Sequence, residues 1–378
     1  MLFFSSPHPQ NPYDNPYDKP SPVVAADFLM KFVCPELRAF TSGLIYLCSN
    51  ERVIYNLSTG EYVNLPDLKR YRKSNSFLGY DPLNKQFKVL FMAYLSGPDD
   101  HRILTLGPSK KKKWRKIKCR LIHQPLYDRV RINGICINGV LYYIGKADGY
   151  TAEERPYMII CFDVRSEKFK FVKAECFGDP KATKLINYKG KLGGIDLTYN
   201  DSDAIELCMW ILEDVERKEW SKYVYTLPLN NIRNVFVVGV ITTGEIVLSG
   251  KVTSTPFCVF YFSPERNTLQ RVEIRGVGEY HEAFETECTV RAFVDYVVDS
   301  KSDFKTESQQ KSVLALSEFC SSKVLTINLS KAQVDANKLP VITEFFGDPK
   351  ATKLINYKGK LGGIDLTYND SDAIELCM

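Results

Sequence analysis

The sequence has no apolar run approaching the roughly 20 residues that a transmembrane helix needs. Met1 opens directly onto Leu2-Phe3-Phe4, without the basic flank of a signal peptide. A soluble protein of the cytoplasm or nucleus is the expectation. The 11 cysteines run from Cys34 to Cys377 with no CxxC pair, odd in number and irregular in spacing. This argues against a disulfide framework and a zinc module, and reads as reduced thiols, mostly buried, packed as small hydrophobes. The formal sequons at Asn56, Asn200, Asn328 and Asn369 then carry no meaning, because glycosylation needs a secretory route.

Histidine is scarce, and His8, His101, His123 and His281 are dispersed. Neither a GxSxG elbow nor an HExxH motif is present, so hydrolase and zinc-protease chemistry lack their residues. The nearest approach is His281 with Glu285, ahead of Cys288. On a helix the first two would share a face and could hold a metal, but a charged stretch between strands reads as a solvated loop. Gly190-Lys191-Leu192-Gly193-Gly194 has no phosphate-cradle order and reads as a turn. No catalytic residue, cofactor or metal site is assigned, and a non-enzyme is expected.

A strong charge imbalance is also missing: 50 Lys plus Arg against 45 Asp plus Glu leave +5, too little to predict nucleic-acid binding. The one local basic patch comprises Lys110, Lys111, Lys112, Lys113, Arg115 and Lys116, continued by Lys118 and Arg120. It resembles a nuclear-import signal and could attract acidic partner segments. The plainer reading is a hairpin loop in which Trp114, Ile117 and Leu121 are strand residues and the cations guard a sheet edge. It lacks the interleaved aromatics of a single-strand-binding platform.

What is present is a recurrent hairpin. Residues 1–22 form a proline-rich arm, unsuited to helix or central strand. From Val23 onward, short Val, Ile, Leu, Phe and Tyr runs alternate with polar turns. Val53-Ile54-Tyr55 turns into Glu61-Tyr62-Val63, and Phe77–Tyr80 turns at Asp81-Pro82 into Gln86–Leu90. Met158–Asp163 leads to Lys168–Phe171, Met209–Asp214 to Glu219-Trp220, and Cys258–Phe262 to Leu269. A second hairpin type precedes several of these, as in Gly134–Ile137, Asn138-Gly139, Val140–Ile144 and in Leu185–Tyr188, Lys189-Gly190, Lys191–Ile195. Asn-Gly between apolar runs is a strong signal for a type I′ turn. Two hairpins make four strands, and Phe169, Trp220 and Leu269 stand 51 and 49 residues apart, the period of a kelch-like propeller blade. The expected fold is all-β, a β-propeller-like array of four-stranded blades with Trp210 and Trp220 in the blade core, rather than a sandwich.

Residues 177–209 recur without a change as 346–378. Folding constrains apolar pattern and turns but not exposed Lys, Thr and Asn, so identity over 33 positions points to a recent duplication or a gene-model join. The copy stops before its partner strand, and residues 339–378 are expected to be a peripheral or poorly ordered tail to a domain of residues 23–338.

The segments SFLGYDPLNKQFKVLFM from Ser76, ICINGVLYYIG from Ile135, IICFDVRSEKFKFV from Ile159, LINYKGKLGGI from Leu185 and CMWILEDVERKEWSKYVYTLP from Cys208 resemble the type 3 F-box-associated domain of a large plant family. The resemblance covers roughly residues 1–330 and implies a propeller-like domain that holds the substrate of a ubiquitin ligase. It also implies an F-box that docks on a Skp-type adaptor. No F-box is visible here, so adaptor binding is not assigned, and the expected partner is an unidentified protein held by the blade-connecting loops. Two alternatives remain, a kelch-like propeller enzyme and a non-functional product of truncation and duplication.

Overall fold

The computed structural model describes residues 2–7, 23–25, 27–31, 36–48, 51–57, 59–68, 74–93, 101–107, 113–126, 134–147, 156–199, 205–227, 235–250, 256–275, 288–294, 311–318, 353–357, 360–368 and 374–377. Every regular element among them is a β-strand. The expected four-stranded blades are there. The first blade runs Glu36–Thr41, Leu44–Cys48, Arg52–Asn56, Tyr62–Asn64. The second runs Ser74–Asp81, Gln86–Ala93, His101–Leu106, Arg115–Ile117. The third is Gly134–Ile137, Val140–Ala147, Tyr157–Asp163, Lys168–Lys173, and the preceding strand His123–Pro125 also pairs with Val140–Ala147. The fourth is Lys184–Tyr188, Lys191–Tyr199, Ile205–Asp214, Glu219–Leu227; the fifth is Val235–Val240, Ile246–Gly250, Cys258–Ser263, Thr268–Arg275. Each blade pairs its strands in sequence order, and the first strands of successive blades are neighbours around a ring.

Phe169, Trp220 and Leu269, which set the period, all lie in fourth strands. The turn chemistry follows the residues. Asn138 and Gly139 have φ of +48° and +83°, and Lys189 and Gly190 have +50° and +85°, the two left-handed positions a type I′ turn needs. A longer hairpin recurs at Asp81, Asp163 and Asp214, whose Oδ1 atoms accept amide N–H bonds from Leu83 (3.0 Å), Ser166 (2.6 Å) and Glu216 (2.7 Å). Each such turn ends on a residue at positive φ, namely Lys85, Glu167 and Lys218. An aspartate that caps its own turn offsets the strain of that last residue.

The core lies between blades rather than within one. Ala39, Tyr46 and Ile54 of the first blade meet Leu78, Val89 and Leu104 of the second. Phe77, Leu90, Met92 and Ile103 meet Tyr143, Ile160 and Phe162 of the third. Comparable clusters join the third blade to the fourth and the fourth to the fifth. Trp210 and Trp220 are half-buried and pack on the third of these clusters, as blade residues. None of the seven described cysteines forms a disulfide; three are buried and four half-buried.

Two pairings depart from a simple reading of the chain. Leu2–Pro7, assigned to the proline-rich arm, is a strand between Asp27–Lys31 and Lys311–Glu318, in one sheet with Cys288–Val294. Its proline is the last paired residue, where a missing N–H costs least. Val23–Ala25 adds to the outer edge of the fifth blade in parallel with Thr268–Arg275. Residues 8–22 lie outside the described residues. The chain divides into two compact units, 1–317 and 318–378. The second holds a three-stranded sheet of Lys353–Tyr357, Lys360–Tyr368 and Ile374–Cys377, repeating the first three strands of the fourth blade.

Gly145 shows how closely the third blade takes up its linker. A Cβ there would stand 2.8 Å from the Gln124 carbonyl oxygen and 3.0 Å from Ile160 Cδ1. Because the first obstacle is backbone, Gly145→Ala is expected to push His123–Pro125 away and to cost about 2 kcal/mol by urea denaturation. Gly107→Ala, where a Cβ meets nothing within 4 Å, serves as the near-neutral control.

Candidate functional site

The two ends of the blades differ. At one end the turns between first and second strands touch from blade to blade. A Cβ on Gly139 would lie 3.1 Å from Pro82 Cδ, Asn138 Nδ2 donates to the Gly190 carbonyl (3.2 Å), and a Cβ on Gly244 would lie 3.0 Å from Lys189 Cε. Ion pairs add a second layer of contacts at this end. Glu167 in the third blade's turn binds Lys88 (2.8 Å) and Arg115 of the second; Lys170 binds Glu216 (2.7 Å), and Lys189 binds Glu265. The pairs beyond Glu167 are exposed and screened, so they fix turn positions more than they stabilise.

At the opposite end the second strand leaves for the third. In blades two to five these connections are residues 94–100, 148–156, 200–204 and 251–257, against tight turns such as 138–139 and 189–190. They carry Asp99, Asp100, Asp148, Glu153, Glu154, Asp201 and Asp203 against Arg155 and Lys251. Long connections with a shared charge at one end of a rigid scaffold are where binding residues concentrate.

The basic run belongs to the tight-turn end, because it joins the third and fourth strands of the second blade. Lys110, Lys111 and Lys112 lie outside the described residues. Lys113, Arg115 and Lys116 are exposed, and Arg115–Ile117 is the outermost strand of its sheet. Arg115 is committed to Glu167, whose carboxyl feels burial pushing its pKa up but is held below the usual range by hydrogen bonds from Arg115 and Lys88. Ile117 is a strand residue as expected, while Trp114 and Leu121 fall outside the strand. Trp114 Nε1–H donates instead to the Pro66 carbonyl (2.8 Å), and its ring packs on Phe91.

His281 and Glu285 lie outside the described residues, as does the side chain of Cys288. The structure brings together a different set that sequence spacing concealed: His101, Cys119 and His123, all buried. Burial drives the His123 pKa down to about 4 and the Cys119 thiol up to about 11, so both side chains are uncharged at neutral pH. Cys119 and His123 form a C-x3-H pair, a ligand-type spacing masked by the cations at 118 and 120.

Blades of four antiparallel strands, packed face to face in a ring with tight turns at one end and long connections at the other, define a β-propeller. The profile described as the F-box associated beta propeller domain matches residues 1–297, and the chain belongs to that family. Its relatives in Arabidopsis thaliana include the putative F-box protein At1g30925, 44% identical over 97% of this chain and 66% of that protein. The putative F-box protein At1g33020 is 48% identical over 80% of this chain and 55% of its own length. F-box protein At3g57590 is 44% identical over 85% and 80%. The chain thus spans 66% and 55% of the first two relatives.

Proposed function

We propose that this propeller is a non-enzymatic recognition domain that holds a protein, the substrate of a ubiquitin ligase, against the connections 94–100, 148–156 and 200–204. The observation that carries the reading is the asymmetry of the ring. Packed turns tie the blades at one end, while the longer connections, which lie almost wholly outside the described residues, follow strands that run to the other end and carry seven acidic residues. These three connections themselves carry seven carboxylates against the single cation Arg155, which favours a basic partner segment in direct contact with them. The scaffold below is held by buried inter-blade clusters, so connections can vary without loss of fold. Where the chain works with an F-box, that motif supplies the Skp-type adaptor contact, and the propeller supplies the substrate.

Affinity purification of the tagged chain from plant cells tests this. Reversing Asp99, Asp100, Glu153 and Glu154 to lysine is expected to lower recovery of its protein partner more than tenfold. Reversing Lys113 and Lys116 to glutamate is expected to leave recovery and stability within experimental error, since both are exposed surface changes. If the lysine reversals abolish recovery and the acidic ones do not, the basic edge is the docking site and the assignment of ends is wrong. Recovery of a Skp-type adaptor with the wild-type chain supports the ligase role; a reproducible partner without it supports recognition outside a ligase.

A further inference from the structure

Between the second and third blades the fold gathers three side chains of metal-ligating type. His101 opens strand His101–Leu106, Cys119 lies just past Arg115–Ile117, and His123 opens His123–Pro125. Their ligand atoms all lie within 4.8 Å of one another, and relative exposures are 4% for each histidine and 8% for the cysteine. Cys119 Sγ stands 3.8 Å from His123 Nδ1. The Leu121 carbonyl oxygen reaches into the same space, 3.0 Å from His123 Nδ1 and 3.2 Å from Cys119 Sγ.

These separations have the scale of a coordination polyhedron. With Zn–S of about 2.3 Å and Zn–N of about 2.05 Å, a tetrahedron has S···N edges of about 3.6 Å and N···N or N···O edges of about 3.3 Å. The three short contacts among these atoms each differ from such edges by a few tenths of an ångström. Even a 4.8 Å separation has only to close by about 1.5 Å, within reach of a side-chain adjustment.

The surroundings are those of a ligand histidine. His123 Nε2 is 2.7 Å from Tyr143 Oη, and Tyr143 Oη in turn stands 3.4 Å from Met92 Sδ. In the metal-free ring Nδ1–H donates to the Leu121 carbonyl and Nε2 accepts the Tyr143 hydroxyl; a cation at Nδ1 would shift the ring proton to Nε2, which then donates to Tyr143 Oη while the phenol proton turns to Met92 Sδ. A ligand histidine whose other nitrogen is fixed by a second group is the usual pattern around bound metals. Phe169 and Phe171 wall the pair at ring-centroid distances of 5.7 Å from His101 and 5.6 Å from His123, which suits a closed, structural site.

We propose that His101, Cys119 and His123 Nδ1, with the Leu121 carbonyl as fourth donor, form a structural zinc(II) site that staples the second blade to the linker entering the third. The mixed sulfur and imidazole set selects a borderline cation over calcium or magnesium. Binding deprotonates the Cys119 thiol, so one proton leaves as the Zn–S bond forms, and the histidines coordinate as neutral imidazoles. The staple fixes residues 118–122 at the loop end of the propeller, where His123 pairs with Ala147 of the third blade.

The test uses the full chain, stripped with a chelator and titrated with zinc alone and, separately, cobalt(II) alone. One zinc per chain is expected, and cobalt is expected to give the near-ultraviolet thiolate charge-transfer band and intense visible bands of a tetrahedral thiolate site. Cys119→Ser should abolish the charge-transfer band and weaken zinc binding more than a hundredfold. Tyr143→Phe should keep the band and weaken binding about tenfold, as loss of an orienting partner does. Cys161→Ser and His281→Ala should change neither. Because Cys119→Ser alone could lose its fold, the wild-type cobalt spectrum decides independently. Absence of the thiolate band in a folded wild-type chain overturns the site, as does a band that survives Cys119→Ser or vanishes with His281→Ala.

Discussion

Phe162→Ala is expected to lower the unfolding free energy by about 3–5 kcal/mol, the range for emptying a buried phenylalanine site. Phe162 is 1% exposed in the third strand of the third blade, opposite Leu141 and Phe169, with the Phe169 ring 4.8 Å away. Its cluster also includes Phe77, Leu90, Met92 and Ile103 of the second blade, so the cavity opens at a blade interface. Each blade buries its apolar face against its neighbours, so the stability of one blade is coupled to the next. The loss should therefore appear in the unfolding midpoint of the whole ring rather than in a separate early transition. Leu83→Ala, at 73% exposure, should stay within about 0.5 kcal/mol. Equal effects from the two substitutions would place the stabilising core elsewhere.

The same interfaces explain what was legible in the residues and what was not. A blade is written locally: strands of alternating burial, a two-residue turn such as Asn138-Gly139, and an aspartate-capped turn such as Asp163–Glu167 all lie within about 40 residues. Their pairing follows sequence order, and so the repeat near Phe169, Trp220 and Leu269 located fourth strands correctly. Contacts made across the whole chain leave no such signature. Leu2–Pro7 pairs with Lys311–Glu318, and its proline and serines resemble a loop until the distant strand is in view. Arg115 reads as one cation in a run of eight, and only the fold brings Glu167 of the next blade against it. His101 and His123 look dispersed because 21 residues separate them, yet both sit at strand starts on the same end of their sheets. Alternation also splits neighbours: Lys116, Lys118 and Arg120 are exposed while Ile117 and Cys119 are buried. A basic patch and a buried ligand set thus occupy one stretch of chain.

Glu167→Gln is expected to cost about 3 kcal/mol at neutral pH, by leaving the ammonium of Lys88 buried without its carboxylate. Lys88 is 8% exposed and Glu167 14%, and the Lys88 Nζ has only the Arg165 carbonyl at 3.4 Å and the field of Asp81 to replace the pair. Arg115, half exposed, loses little of its hydration and adds less. The pH dependence has a definite sign. Burial pushes the Glu167 pKa up, but the hydrogen bonds from Arg115 and Lys88 outweigh it, and the folded value lies below the unfolded one. Its contribution is therefore complete above the unfolded carboxylate pKa of about 4.3 and declines as pH falls through the depressed folded value. Urea denaturation of wild type and Glu167→Gln should diverge fully at pH 7, draw together as pH falls below about 4.3, and converge only below the depressed folded value. Lys88→Met in the Glu167→Gln background should recover part of the loss, because removing both charges removes the buried, uncompensated one. A gap that stays constant down to pH 3 would mean that the substitution acts through the left-handed turn position of Glu167, at φ +59°, and not through its charge.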